Sequence, residues 1–415
     1  MTHTSNPEFR NDAKVIGLVG LAHGVSHFFQ LLLAPLFPWI KAELGLSYAE
    51  LGGLMAVFFV VSGVGQAASG FVVDRVGARG VLFAGVALLG LAALVSGLSS
   101  GYAGLALGAA VAGLGNCVFH PADFTLLNRR VSTARLAHAF SVHGITGNLG
   151  YAAAPIFLVG IAQLSGSWRI AVLAAAGVAV AVLLLLALNR RLLDDRLSHE
   201  ASVEAKPEAV AAGSTLGFLR LPQVWLCFAF FFVSALAIGG VQSFAPTALN
   251  QLYGMPLTVA ALAYTAFMLA SAGGMVLGGF AGGRTRDHDR LIAGCMAAAG
   301  CLSILLGLAL LPAAMVLPLM ALIGFGSGVA NPSRDLLVRA AAPKGATGRV
   351  YGTVYSGLDA GMAVAPVVFG LIMDAAWPGM VFAAIGGCQF LAIAAALAVG
   401  GESRRRRGQE VLAAG

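Results

Sequence analysis

The sequence predicts an all-α integral membrane protein of twelve transmembrane helices, arranged as two six-helix bundles related by a parallel repeat. Three observations predict it. Of 415 residues, 59% are hydrophobic and only 10% charged, against roughly 25% charged in ordinary soluble domains, and no water-soluble core absorbs that much apolar surface. Twelve long stretches, near the roughly 20 apolar residues a helix needs to cross a bilayer, are bounded by charges or turn residues. The glycine and proline pattern of the first six stretches recurs in the last six.

After a polar N-terminus (1–14), span 1 (15–40) is a long apolar run with no A-x-A-like cleavage site, so it reads as a retained helix rather than a signal peptide. It carries AHGVSHFFQ, Ala22 to Gln30, and the pair Ala34-Pro35. Span 2 (48–73) stops at Asp74, and span 3 (80–99) follows a short basic turn. Span 4 (102–128) contains GLGNCVFHPADFTLL, Gly113 to Leu127. Span 5 (136–163) contains HGITGNLGYAAAP, His143 to Pro155, and span 6 (169–189) closes an N-terminal bundle over 15–189. The long charged interruption RRLLDDRLSHEASVEAKPE, Arg190 to Glu208, opens a linker over 190–217. A C-terminal bundle (218–399) holds spans at 222–249, 257–282, 291–311, 314–338, 349–373 and 378–399, before a basic tail (400–415). Spans longer than the minimum imply tilt or bending.

The repeat keeps one register across three span pairs. Gly113, Gly115 and Pro121 match Gly324, Gly326 and Pro332 of GFGSGVANPSRDLLV; Gly150 and Pro155 match Gly361 and Pro366; Ala34-Pro35 matches Ala245-Pro246. One matched proline means little in membrane helices, but three pairs in one register are hard to obtain by chance. Both halves start on the same side, which makes the repeat parallel.

All 25 Lys and Arg except Lys41 and Arg169 fall on one side if both termini are cytoplasmic, the asymmetry expected of cytoplasmic loops. The expected location is therefore a bacterial-type inner membrane, crossed many times. The net charge of +7 lies in short loops and the tail Arg404 to Arg407 rather than in a nucleic-acid-binding face. Trp39, Trp168, Trp225 and Trp377 fall at span ends, where amphipathic rings prefer the membrane interface. The five cysteines lie inside spans with no CxxC pair, so no disulfide is expected.

Between spans 2 and 3 stands GFVVDRVGAR, Gly70 to Arg79. It resembles the loop signature of the major facilitator superfamily: a glycine, three residues, Asp-Arg, then a glycine and a final basic residue. Gly70 would permit close helix approach. Asp74 can accept hydrogen bonds or face a helix N-terminus, and Arg75 and Arg79 can hold the loop at the interface or pair with acids. The resemblance implies that this loop latches the cytoplasmic side in the outward-facing state, partly against helix 11. The second copy, GFAGGR, has Gly283 where the aspartate would stand, which puts a second latch in doubt. GLGNCVFHP, HGITGNLGYAAAP and the polar first span are similar to segments of fosmidomycin resistance proteins. That branch exports a small phosphonate antibiotic, and the resemblance implies proton antiport. Two features depart from multidrug antiporters: Ala109 replaces an arginine before the span 4 motif, and Ala154-Pro155 replaces Gly-Pro.

Ionisable groups inside a span are expensive and mark substrate or ion pathways. By helical rise His23, His120, His143 and Asn331 lie about 12–14 Å from the nearest cytoplasmic charge, in one layer. Helices 1, 4, 7 and 10 line the central cavity in the superfamily. His27 shares a helix face with His23, and Gln30 follows. Asn148, Gln242 and the deep acid Asp359 complete the expected substrate and proton pathway. For each histidine the alternative of a neutral, hydrogen-bonded packing residue stays open. Asp123 is read as a cytoplasmic gate residue able to pair with His120 or Arg75, and Arg334 and Asp335 as a charge latch. No metal is expected, because no carboxylate completes HGVSH, and no cofactor motif is present. The expected function is secondary active transport by alternating access: proton-coupled export of a small organic compound, anionic or drug-like, by an antiporter acting as a monomer. Its partners are a small-molecule substrate, protons as the coupling ion and the bilayer. Proton-linked uptake of an organic acid is the alternative. An intramembrane enzyme using His120 and Asp123 is remote, since the chain has no nucleophile elbow or metal-ligand set.

Overall fold

The computed structural model describes the backbone of residues 7–195, 222–285, 287–341 and 347–414. Among the described residues the regular structure is helical, and twelve segments are long and apolar enough to cross a membrane. The helices are α1 (Pro7–Gln30), α2 (Phe37–Leu44), α3 (Tyr48–Val76), α4 (Ala78–Gly97), α5 (Tyr102–Asn116), α6 (Phe119–Arg130), α7 (Leu136–Ser165), α8 (Trp168–Leu188), α9 (Pro222–Tyr253), α10 (Leu257–Arg284), α11 (His288–Gly307), α12 (Val316–Ala341), α13 (Thr347–Asp374) and α14 (Pro378–Ala414).

Two spans are broken, and proline explains both. Pro35 has no N–H to give and its ring would clash with the carbonyl four residues back, so α1 ends at Gln30 and a 3₁₀ turn over Ala34–Leu36 leads into α2. Pro121 has the same effect on the carbonyl of Cys117, separating α5 from α6. Their repeat partners behave differently: Pro246 and Pro332 sit inside continuous helices.

The chain divides into two units. One holds α1, α2 and α4–α8 with all but the first turn of α3; the other holds α9–α14 and that first turn. Within the first, α1 packs on α7 and α4 on α5 and α8; within the second, α9 packs on α13 and α11 on α12 and α14. These pairings are the same ones carried through the repeat. Matched glycines make matched contacts: a Cβ on Gly113 would collide with the Phe58 carbonyl of α3, and one on Gly324 with the Phe267 carbonyl of α10. The second unit has an apolar core in which Phe230, Phe231, Ile292, Met296 and Val354 are buried.

The structure adds detail to the sequence reading at both ends and at one tryptophan. Residues 7–14 form the first turns of α1, where Asp12 is fully buried and accepts from the Ser132 hydroxyl at 2.6 Å and Arg135 Nε at 3.0 Å. The basic tail continues α14 to Ala414, since its Glu, Arg and Gln residues are good helix formers. Trp168, the first residue of α8, is buried within the protein, and its indole N–H donates to Glu43 at 2.6 Å.

Candidate functional site

In the first unit α1 and α7 meet backbone to backbone. A Cβ on Gly150 would collide with the Gly24 carbonyl, and one on Gly24 would lie 3.0 Å from the Thr146 carbonyl oxygen. Only residues without side chains allow such an approach. It brings His23 and His27 of α1 against His143 of α7, while the break before α6 presents His120 and Asp123 to the same place.

Four imidazoles and one carboxylate therefore form one cluster. The His23 and His143 rings stack with centroids 3.5 Å apart; His27 lies 4.4 Å and His120 5.4 Å from His23. Asp123 is fully buried. Its carboxylate accepts from His143 Nε2 at 3.0 Å, and the same oxygen lies 3.2 Å from His23 Nδ1, at ion-pair distance but off the angle of a hydrogen bond. His120 Nδ1 lies 3.2 Å from Gln66 Oε1. A second polar chain runs alongside: Tyr151 Oη donates to Gln30 Oε1 at 2.5 Å, Gln30 to Asn116 Oδ1 at 3.3 Å, and Asn116 to Ser62 Oγ at 2.8 Å. The Tyr151 ring sits edge-on to His27, 4.4 Å between centroids.

The partners of Asp123 among the described residues are thus His143 and His23 rather than Arg75. Asn148 donates to the Gly144 carbonyl of its own helix at 3.4 Å. In the second unit Asn331 and Arg334 line a cavity of ≈ 70 Å³ with Ser234, Ser327 and Gln389. The Arg334 guanidinium lies 4.8 Å from the centre of the Phe231 ring. Gln242 is buried in α9, and its side-chain oxygen has no hydrogen-bond partner among the described residues. Asp359 is exposed on α13. The side chain of Asp335 lies outside the described residues.

In the α3–α4 loop one of the two arginines is paired with an acid. Asp74 and Arg75 are exposed, and a Cβ on Gly70 would meet nothing within 4 Å, so no close helix approach among the described residues depends on that glycine. The crowded position is Gly65, against Cys117. The α4 N-terminus is held by Asp195, which accepts from Ala78 N–H at 2.7 Å. Arg79 pairs with Asp194 at 3.3 Å and donates to the Arg190 carbonyl at 3.2 Å, so the first residues of the linker are folded onto the loop.

Sequence reasoning missed Ser62, Gln66, Asn116, Gly147 and Tyr151. The polar ones stand inside otherwise apolar spans, and that signal would have found them. Gly147 needed the structure: a Cβ there would lie 2.9 Å from His27 Cε1 and 3.1 Å from His23 Nε2.

Twelve spans in two repeat-related units, with buried polar groups at depth, define a polytopic solute carrier rather than an enzyme. The Major Facilitator Superfamily profile matches residues 19–366, and the chain belongs to that superfamily. It is similar to the fosmidomycin resistance protein of Escherichia coli (strain K12), 24% identical over 275 residues, a segment spanning 66% of each chain and so just under two thirds of that relative. A probable L-galactonate transporter of the same organism is 27% identical over 130 residues, 31% of this chain and 28% of that one. Among solved structures, a bacterial homologue of the human lysosomal transporter Spinster, crystallised in an inward-facing and occupied conformation, superposes with a TM-score of 0.74 at 16% identity. That match covers 97% of this chain and 98% of the other.

Proposed function

We propose that this chain works by alternating access as a proton-coupled exporter of a small organic compound, anionic or drug-like, in a bacterial inner membrane with both termini cytoplasmic. The observation that carries this reading is the cluster of His23, His27, His120, His143 and Asp123, in which His23, His143 and Asp123 are buried. Ionisable side chains within a span mark the path of a substrate or ion, and five of them converge here. Resemblance to a relative named for fosmidomycin resistance supports an anionic solute and outward movement. Proton-linked uptake of an organic acid is the second reading, supported by the shorter match to a probable L-galactonate transporter.

Counterflow in proteoliposomes tests both, using phosphonates, carboxylates and lipophilic drugs with and without a pH gradient. The expected result is exchange of a phosphonate or carboxylate that a proton gradient accelerates. Exchange indifferent to the gradient removes proton coupling, and net movement only into the proton-rich compartment's opposite, together with its protons, favours uptake. Asp359→Asn in the same assay is expected to slow gradient-driven transport while leaving counterflow intact, because an exposed acid inside a span is costly unless it serves the cycle.

A further inference from the structure

HGVSH places two imidazoles four residues apart on one helix face, a spacing that suits chelation of one transition-metal ion and lacks only further ligands. The fold supplies them from elsewhere in the chain. His23, His27 and His120 can each offer one ring nitrogen, and these atoms all lie within 4.8 Å of one another. Tetrahedral coordination at about 2.0–2.1 Å places ligand nitrogens roughly 3.3 Å apart, so closure on an ion needs shifts on the order of 1 Å.

The surroundings are arranged for this. Both ring nitrogens of His27 are buried and have no hydrogen-bond partner among the described residues. His120 directs Nδ1 to Gln66 Oε1, which leaves Nε2 for another partner. His23 has Asp123 beside Nδ1 at 3.2 Å and Gly147 beneath Nε2. A carboxylate on the far nitrogen of a histidine is the usual support of a metal-ligating ring. At Gly147 an added Cβ would lie 3.1 Å from both His23 Nε2 and His27 Nδ1, so the missing side chain leaves space where two candidate ligand atoms converge.

We propose that His23, His27 and His120 bind one divalent transition-metal ion of the zinc class, with Asp123 orienting His23 and partly balancing the ion's charge. Imidazole nitrogens select such ions, whereas magnesium and calcium require oxygen ligands that this set lacks. Three nitrogens leave a coordination position open, suited to water or an oxygen donor of a small anionic solute. His23, Asp123 and His143 meet the same distance limit. The first set is preferred because Asp123 already accepts a hydrogen bond from His143, whereas His27 has no such partner among the described residues. The proposal goes beyond the transport reading and does not depend on the direction or coupling of transport.

The test uses untagged, purified full-length protein in detergent, with Co²⁺ as a visible probe and Zn²⁺ as competitor. Saturable binding of one Co²⁺ per chain is expected, with the absorption bands of a nitrogen-rich site of low coordination number, lost when Zn²⁺ is added. His27→Ala and His120→Ala should abolish those bands, whereas the exposed His138→Ala should retain them. Asp123→Asn should weaken binding about 10–100-fold, the usual effect of removing such a support. Gly147→Ala should weaken it too, with every ligand still present. X-ray absorption of the Zn²⁺-loaded wild type needs no variant, and should show imidazole scattering from three rings. Absence of saturable Co²⁺ binding by monodisperse wild type, fewer than three imidazoles at Zn²⁺, or bands that survive in both His27→Ala and His120→Ala would overturn the proposal.

Discussion

At Gly150 a single methyl group would collide with the carbonyl oxygen of Gly24, and at Gly144, six residues earlier on α7, it would meet nothing within 4 Å. The two positions make a controlled comparison. Gly150→Ala should force α1 and α7 apart and destabilise the protein by about 1–3 kcal/mol, the range for overpacking a close contact. Gly144→Ala should be neutral or slightly stabilising, because alanine favours helix over glycine. Thermal unfolding in detergent reads the difference, and equal midpoints for the two variants would remove the close-approach account. Beside this contact, His27 has two buried nitrogens with no hydrogen-bond partner among the described residues. Each such group costs about 1–3 kcal/mol, a penalty more readily retained at a functional site than in ordinary packing.

The break between α5 and α6 and the turn between α3 and α4 show how elements place chemistry. Pro121 ends the α5 hydrogen-bond ladder, and His120 and Asp123 emerge from the first turns of α6 into the cluster. At the α3–α4 turn Gly77 has φ +96, a conformation that favours glycine. The following helix starts on a carboxylate brought from the linker, since Asp195 accepts from Ala78 N–H and lies 3.7 Å from Arg129. An acid at a helix N-terminus satisfies an orphan N–H and meets the positive end of the dipole. Asp195→Ala should therefore cost about 0.5–2 kcal/mol, as loss of a cap does, and release the segment Arg190 to Asp195 from the turn. Limited trypsin digestion at Arg190 and Arg191 should accelerate in the variant. Unchanged cleavage would show that Arg79, through Asp194 and the Arg190 carbonyl, and Arg130, through the Leu192 carbonyl, hold the segment without the cap.

For the whole molecule, the proposed topology, with both termini and the segment 190–216 cytoplasmic, rests on the uneven distribution of Lys and Arg. Reporter fusions within that segment should show cytoplasmic activity and no periplasmic activity; a periplasmic signal would invert the proposed topology without touching the fold. The superfamily assignment rests on the profile match over residues 19–366.

The number of spans, the bundle architecture and the repeat could be read from the sequence because each depends on local composition or on a fixed register. Apolar length measures membrane thickness, and Gly113 against Gly324 or Pro155 against Pro366 needs no coordinates. Candidate histidines were also legible, since an ionisable residue in an apolar span stands out. Their partners were not. For Asp123 the sequence offers His120 or Arg75, yet packing of α1, α6 and α7 gives it to His143 and His23. Gln66, Asn116 and Tyr151 became part of the site only when α3, α5 and α7 were brought together. Likewise Asp195 caps a helix more than a hundred residues earlier in the chain. Composition and periodicity act along the chain, so the sequence determined which residues enter the membrane. Which of them touch depends on helix crossings, set by a few side-chain-free contacts such as Gly24 with Gly150, and only the tertiary structure decided that.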